Sequence, residues 1–259
     1  MPISEDDLRA LAEAKRLLEN PGLAAKLTHY VGAPIEKGFE LLPTRWRDKV
    51  VDVTREALEA ALKVAIASLR QQSSRSAQPR LHKLAATASG AAGGAFGLAA
   101  LAIELPVSTT IICRSIADIA RSQGEDLSLP EARMACLEVF AFGGTTPSDD
   151  ASETAYFAVR AALSRAVSEA AEYLTTRQVT ESGAPALVRL VSLIATRFKV
   201  QVSQKAAAMA IPLVGAAGGA TINYLFLEHF QAMSHGHFTI RRLERQYGEE
   251  TVRQAYVER

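Results

Sequence analysis

The spacing of apolar residues is helical almost throughout. Ser4 precedes an acidic turn, Glu5-Asp6-Asp7, and Leu8, Leu11, Lys15 and Leu18 follow at intervals of three and four. A capped helix is therefore predicted up to Asn20-Pro21-Gly22. Residues 22–42 read as one or two short helices, broken near Gly32-Ala33-Pro34 and ended by Pro43. From Thr44 to about Leu69, Val50, Val53, Ala57, Leu58, Ala61, Leu62, Ala65 and Leu69 form one apolar stripe. The polar stretch 71–80 (QQSSRSAQPR) has no period and reads as a linker between an N-terminal helical subdomain and the rest of a single domain. Beyond it an uncharged run, Leu84 to Ile103, ends at Glu104-Leu105-Pro106, and a further helix is predicted from Val107 to about Gln123. Ser128-Leu129-Pro130-Glu131 has the form of a capping box, and the helix it opens ends at Gly143-Gly144. Asp149 or Asp150 is placed to cap the next helix, which reaches about Leu174, and Gly183-Ala184-Pro185 starts another, reaching about Met209. A second uncharged run, Ala206 to Leu227, is interrupted by Pro212, and the tail reads as two charged helices split by Gly248. No segment alternates as a strand does: Val50-Val51 and Ile111-Ile112 fall inside helical periods.

The two uncharged runs share a pentapeptide. Gly-Ala-Ala-Gly-Gly occurs at 90–94 and at 215–219. Each copy is followed some way on by Gly-Glu-acid, as Gly124-Glu125-Asp126 and Gly248-Glu249-Glu250, which gives the pattern of a degenerate internal repeat. A run of about twenty apolar residues is long enough to span a bilayer, but Gly, Ala, Ser and Thr supply these runs, and such residues gain little on transfer into hydrocarbon. Two other arrangements fit. The runs can be buried helices whose small residues let backbones approach closely, or a buried hairpin that meets a bilayer or encloses an acyl chain. Fold class follows: an all-α multi-helix bundle with two central Gly/Ala-rich helices.

Composition narrows the functions. The formal charge is +1, so no overall field draws in nucleic acid. Aromatics are only 6% of residues while 48% are hydrophobic, which suits closely packed Ala/Leu helices. Cys113 and Cys136 lie in apolar helical contexts and read as buried free thiols, which points to a reducing compartment. The acidic N-terminus has no apolar core of a signal peptide. Glu228, His229, His235 and His237 do not have the three- or four-residue spacing of ligands on one helix, and Gly236 is expected to break the helix there, so no metal and no cofactor is expected. The glycine pentapeptides lack the preceding strand and the following Lys-Ser/Thr of a phosphate loop. Glu104, Asn223 and Glu228 fall in or at the ends of the apolar runs, where a carboxylate needs a partner. Arg114 and Arg241-Arg242 are the expected partners, Arg114 with Asp118 reads as a helix pair, and Arg241, Arg242 and Arg245 with Glu244 read as a solvated face.

Taken in order along the chain, several stretches resemble the EcsC protein family. They are Arg114-Ser115-Ile116-Ala117-Asp118-Ile119-Ala120, Gly124-Glu125-Asp126-Leu127, Pro130-Glu131-x-Arg133 and Cys136-Leu137-Glu138-Val139-Phe140-Ala141-x-Gly143. In the C-terminal third they continue with Gln204-Lys205, the segment from Ile211 to Ala220, Asn223, His237-Phe238, Arg241-Arg242-Leu243-Glu244 and Tyr247-Gly248. The resemblance covers about residues 10–257, with one departure at Gln123, where the family pattern has Tyr. It carries over no catalytic residues. It implies a membrane-linked role, because the family is named from a protein encoded beside the subunits of an ABC transporter. The expected function is a non-catalytic accessory at the cytoplasmic, inner face of the membrane that binds a membrane lipid or hydrophobic ligand. Its expected site is Gly90, Gly93, Gly94, Glu104, Arg114, Gly215, Gly218, Gly219, Asn223, Glu228, Arg241 and Arg242. Two other classes stay open: a partner or regulator of a membrane transporter or protease, and an enzyme on lipid or acyl substrates built on Glu104 or Glu228.

Overall fold

The computed structural model describes residues 2–19, 22–67, 98–144, 155–177, 184–211 and 216–258. Gly90, Gly93, Gly94, Gly215, the polar stretch 71–80 and the expected caps Asp149 and Asp150 lie outside them. The described chain is helical: α1 (Glu5–Glu19), α2 (Leu23–Val31), α3 (Ile35–Leu41), α4 (Thr44–Ala67), α5 (Leu98–Ser122), α6 (Pro130–Glu138) with a 3-10 turn at Val139–Ala141, α7 (Ala155–Arg177), α8 (Pro185–Ala210), α9 (Ala216–Tyr247) and α10 (Glu249–Val257). No strand occurs among the described residues. Ser4 caps α1 as its sequence requires, its Oγ accepting from the Asp7 amide at 3.2 Å.

The stripe of α4 is its buried face: Val50, Val53, Ala57, Leu58, Ala61, Leu62 and Ala65 all lie in the core. That face packs against α5 and α8, while α9 packs against both α1 and α5. The helices on either side of the stretch 71–80 therefore share one core. At its centre Phe140, Phe198, Phe226 and Phe230 form a tilted and edge-to-face cluster, with ring centroids 5.1–6.0 Å apart.

Three local expectations are corrected by packing. Pro106 does not end a helix; it lies inside α5. Proline removes one backbone bond, but Leu101, Leu105 and Glu104 on either side are buried and fix the helix through the interruption. Gly236 does not break the C-terminal helix either. It lies within α9, where a β-carbon would come 2.6 Å from Cγ of Leu18 and 3.0 Å from the Ala14 carbonyl oxygen, so the glycine seats α1. At Ser128 the expected capping box is not formed: Leu129 is the N-cap of α6 and makes no side-chain bond, and the Ser128 amide donates to Asp126 Oδ1. Gly124 and Gly248 follow the ends of α5 and α9 with φ of +81° and +88°, a conformation that favours glycine.

Among the described glycines, Gly38 makes the closest approach, where α3 meets α8. A β-carbon on Gly38 would lie 2.1 Å from the carbonyl oxygen of Ala207, which no side-chain movement relieves. Gly38→Ala is expected to lower unfolding stability by about 1–3 kcal/mol. Urea denaturation should show an earlier midpoint at an unchanged slope; an unchanged midpoint would contradict this seating.

Candidate functional site

Two of the residues singled out in the sequence meet in the interior. Glu104 on α5 is buried and its carboxylate is held at both oxygens: Lys205 Nζ on α8 donates to Oε2 at 2.7 Å, and Asn223 Nδ2 on α9 donates to Oε1 at 2.6 Å. Lys205 is 0% exposed, and its ammonium also stands 4.8 Å from the ring centre of Phe226. Burial holds the Lys205 amine below the usual lysine range, while the Glu104 charge and hydrogen bond act against it. Gly218 and Gly219 are buried at the start of α9, and Gly219 lies one turn before Asn223 on the same side of the helix.

The expected partners of Glu104 are corrected. Arg114 is exposed on α5, ten residues beyond Glu104, and is not its partner. Asp118 bonds to Arg121, at 2.7 Å, in place of the expected pairing with Arg114. Glu228 is paired with Lys26 on α2 at 2.8 Å. The basic turn of α9 is not a solvated face, because its cations clamp the loop after α5. Arg241 donates twice to Glu125, at 2.8 and 3.1 Å, and Arg245 bonds to the same carboxylate and to the Gln123 carbonyl oxygen. Arg242 bonds to Gln123 Oε1 and to Asp7 Oδ1. Burial raises the Glu125 carboxyl, but the two arginines outweigh it and leave it below the usual range. Gln123, the departure from the family pattern, is thus a bonded member of this clamp.

α5 is polarised in an unusual sense. Its only carboxylate in the uncharged half faces inward, while Ile103 is 78% and Val107 49% exposed on the outer side. Arg114 continues that side, eleven residues and about 16 Å beyond Ile103.

A second polar cluster, with no spacing signal in the sequence, lies where α6, α7 and α9 meet. Glu138 and His237 are buried, with Oε2 and Nε2 3.8 Å apart. His237 Nδ1 is 2.9 Å from the Tyr156 hydroxyl, and Arg160 reaches that hydroxyl at 3.4 Å while bonding Glu244 at 2.6 and 2.8 Å. Burial pushes the Glu138 carboxyl up to about 7, with Arg160 and Arg241 opposing and Glu244 adding to it. Burial, then Arg160 and Arg241, hold His237 well below its ordinary range. Above the Arg160–Glu244 pair lies a groove of about 400 Å³ between α7 and α10, lined also by Phe157, Ser164 and Arg253. Cys113 and Cys136 are free and buried, and burial raises Cys113 to about 12, so neither is a reactive thiolate. No group of three His, Cys, Asp or Glu among the described residues could hold a metal ion.

The chain belongs to the EcsC protein family, whose model matches residues 5–243. No curated protein and no solved structure matches it.

Two consequences can be measured. Lys205→Met alone leaves the buried Glu104 carboxylate without its counter-charge, bonded only to Asn223, and is expected to cost about 3–5 kcal/mol in denaturant unfolding. The double replacement Glu104→Leu with Lys205→Met should recover most of that loss, whereas additive losses would show that the two side chains are not a pair. The second concerns pH. The folded Glu138 carboxyl holds its proton to about 7 against an ordinary 4.5, so the native state binds more protons than the unfolded chain in that window. Stability from this group is therefore full below the ordinary value and falls as pH rises through the window. Glu138→Gln should be the more stable protein at pH 8, by up to about 3 kcal/mol, and the advantage should vanish near pH 5. A pH-independent difference between the two would remove Glu138 as the cause.

Proposed function

We propose that this EcsC family member is a helical accessory protein that docks on the face of a membrane, at its cytoplasmic side, through the outer side of α5. The carrying observation is the orientation of that helix: Ile103 and Val107 face out, and Glu104 faces in against Lys205. Helices that meet lipid present apolar side chains outward and turn ionisable groups inward, paired with one another. The uncharged sequence leading into α5 from Leu84 and the cation Arg114 at the far end of the stripe support the same reading. An apolar patch with a flanking cation suits an interface in which apolar side chains enter the acyl region and the cation meets anionic headgroups. No helix among the described residues is long and apolar enough to cross a membrane.

The test is co-sedimentation with phosphatidylcholine vesicles containing graded amounts of phosphatidylglycerol. Binding should rise with the anionic fraction. Ile103→Glu with Val107→Glu should weaken it by about tenfold or more, since each fully buried aliphatic side chain is worth about 1.5–3 kcal/mol. Arg114→Ala should remove mainly the anionic preference, about fivefold, at about 1 kcal/mol per cation near a charged surface. These positions are exposed, so helical content and unfolding midpoint should not change. Vesicle binding that is absent at every composition, or indifferent to the paired glutamates, would refute the proposal.

A further inference from the structure

The order of donors and acceptors in the second polar cluster follows from the charge on Glu138. A guanidinium only donates, so where Arg160 reaches the Tyr156 hydroxyl the phenol oxygen accepts; an ionised Glu138 facing Nε2 favours the ring hydrogen there and leaves His237 Nδ1 to accept the single phenol proton. The neutral ring then carries its hydrogen on Nε2, the nitrogen that faces the Glu138 carboxylate. Nε2 has no partner within hydrogen-bond distance; the 3.8 Å gap is about 1 Å too long. All members of this row are buried or nearly so, and it emerges at Arg160 and Glu244, which line the groove between α7 and α10.

We propose that Glu138, His237 and Tyr156 form a proton relay between the groove and the buried junction of α6, α7 and α9, and that proton uptake at Glu138 reverses the direction of its hydrogen bonds. The balance is one proton. It arrives at the Tyr156 oxygen from the groove side, the original phenol proton passes to His237 Nδ1, and the Nε2 hydrogen passes to Glu138. Afterwards Glu138 is a neutral carboxylic acid donating to Nε2, the ring is neutral with its hydrogen on Nδ1, and Tyr156 is neutral. Tyr156 now accepts from the ring as well as from Arg160, so its own proton turns away from His237. Closing the gap at Nε2 draws α6 and α9 together, while the changed partner at Tyr156 bears directly on the Arg160–Glu244 pair. Proton occupancy at a buried site is thereby expressed at the groove.

The groups that act on Glu138 are consistent with uptake near neutrality. Arg160 on α7 and Arg241 on α9 favour the carboxylate, Glu244 on α9 opposes it, and burial opposes it most strongly. α4 and α5, which also pack on α6, meet it through the Ile66 carbonyl, bonded by Arg133, and through Cys113, which acts on Cys136. His237 stays neutral because burial and the two arginines oppose its charging, so the ring serves as a conduit that changes tautomer without becoming a cation.

Long-range ¹H–¹⁵N NMR of the histidine rings in the full chain reads this directly. In the native protein His237 should show its hydrogen on Nε2 at pH 8.5 and on Nδ1 at pH 5.5, with the change centred near pH 7. Glu138→Gln should hold the Nε2–H form across the whole range, and Tyr156→Phe should abolish the pH-dependent shift of the Arg160 side-chain signals. A His237 ring that keeps one tautomer from pH 5 to 9 overturns the proposal. So does a ring that becomes an imidazolium with the same midpoint in native protein and Glu138→Gln. Glu138→Gln alters neither side-chain length nor the outer face of α5. Unchanged vesicle binding in that variant would therefore keep this result separate from membrane docking.

Discussion

A carboxylate and an ammonium inside a core of small and aromatic side chains are tolerable only if each faces the other. Glu104 and Lys205 satisfy that condition at 2.7 Å, and Asn223 takes the remaining carboxylate oxygen. Because the three groups come from α5, α8 and α9, their mutual satisfaction fixes the rotation of all three helices. A turn of α5 or α8 by a single residue would strand a charge in the interior, and a turn of α9 would leave a carboxylate oxygen and a buried amide unpaired, each at a cost above that of a misplaced methyl group. The rotation so imposed on α5 is what leaves Ile103 and Val107 outside. The apolar outer face and the buried ion pair are therefore two results of one constraint.

The arginine turn of α9 does the complementary work at the other end. Arg241, Arg242 and Arg245 bind Glu125, Gln123 and Asp7, so they tie the loop after α5 and the first turn of α1 to the end of α9. These cations neutralise a buried carboxylate and bond one backbone carbonyl, that of Gln123. The chain ends are joined by the same device: the Tyr247 hydroxyl donates to Asp7 Oδ2 at 2.8 Å. Adjacent basic residues on a helix do not identify a surface patch until their partners are known, and here the partners lie more than a hundred residues away.

Helix identity and most boundaries were legible in the sequence, because they depend on local spacing and on Pro and Gly at the ends. The stripe of α4 from Val50 to Ala65 became its buried face, and Leu69 lies outside the described residues. Pro106 and Gly236 misled because their local preference is small against the packing on either side of them. That Glu104 needed a buried partner was also legible, but the partner was not. Lys205 carries no mark that distinguishes it from a solvated helix lysine, and it stands 101 residues from Glu104. Glu138, Tyr156 and Arg160 were silent for the same reason. Their chemistry arises from the crossing of α6, α7 and α9, which no short window of sequence contains. Gly90, Gly93, Gly94 and Gly215 lie outside the described residues, and of the other expected site residues Glu104 and Asn223 meet in the interior.

α9 has 32 residues and is about 48 Å long. It carries Asn223 near its beginning, His237 past its middle and the arginine turn at its end. A continuous helix of that length is stiff compared with the loops around it. A small tilt imposed at one end must therefore be delivered at the other as a displacement, as by a strut. A displacement beside Asn223 and one at the arginine-clamped end of the helix are mechanically one event.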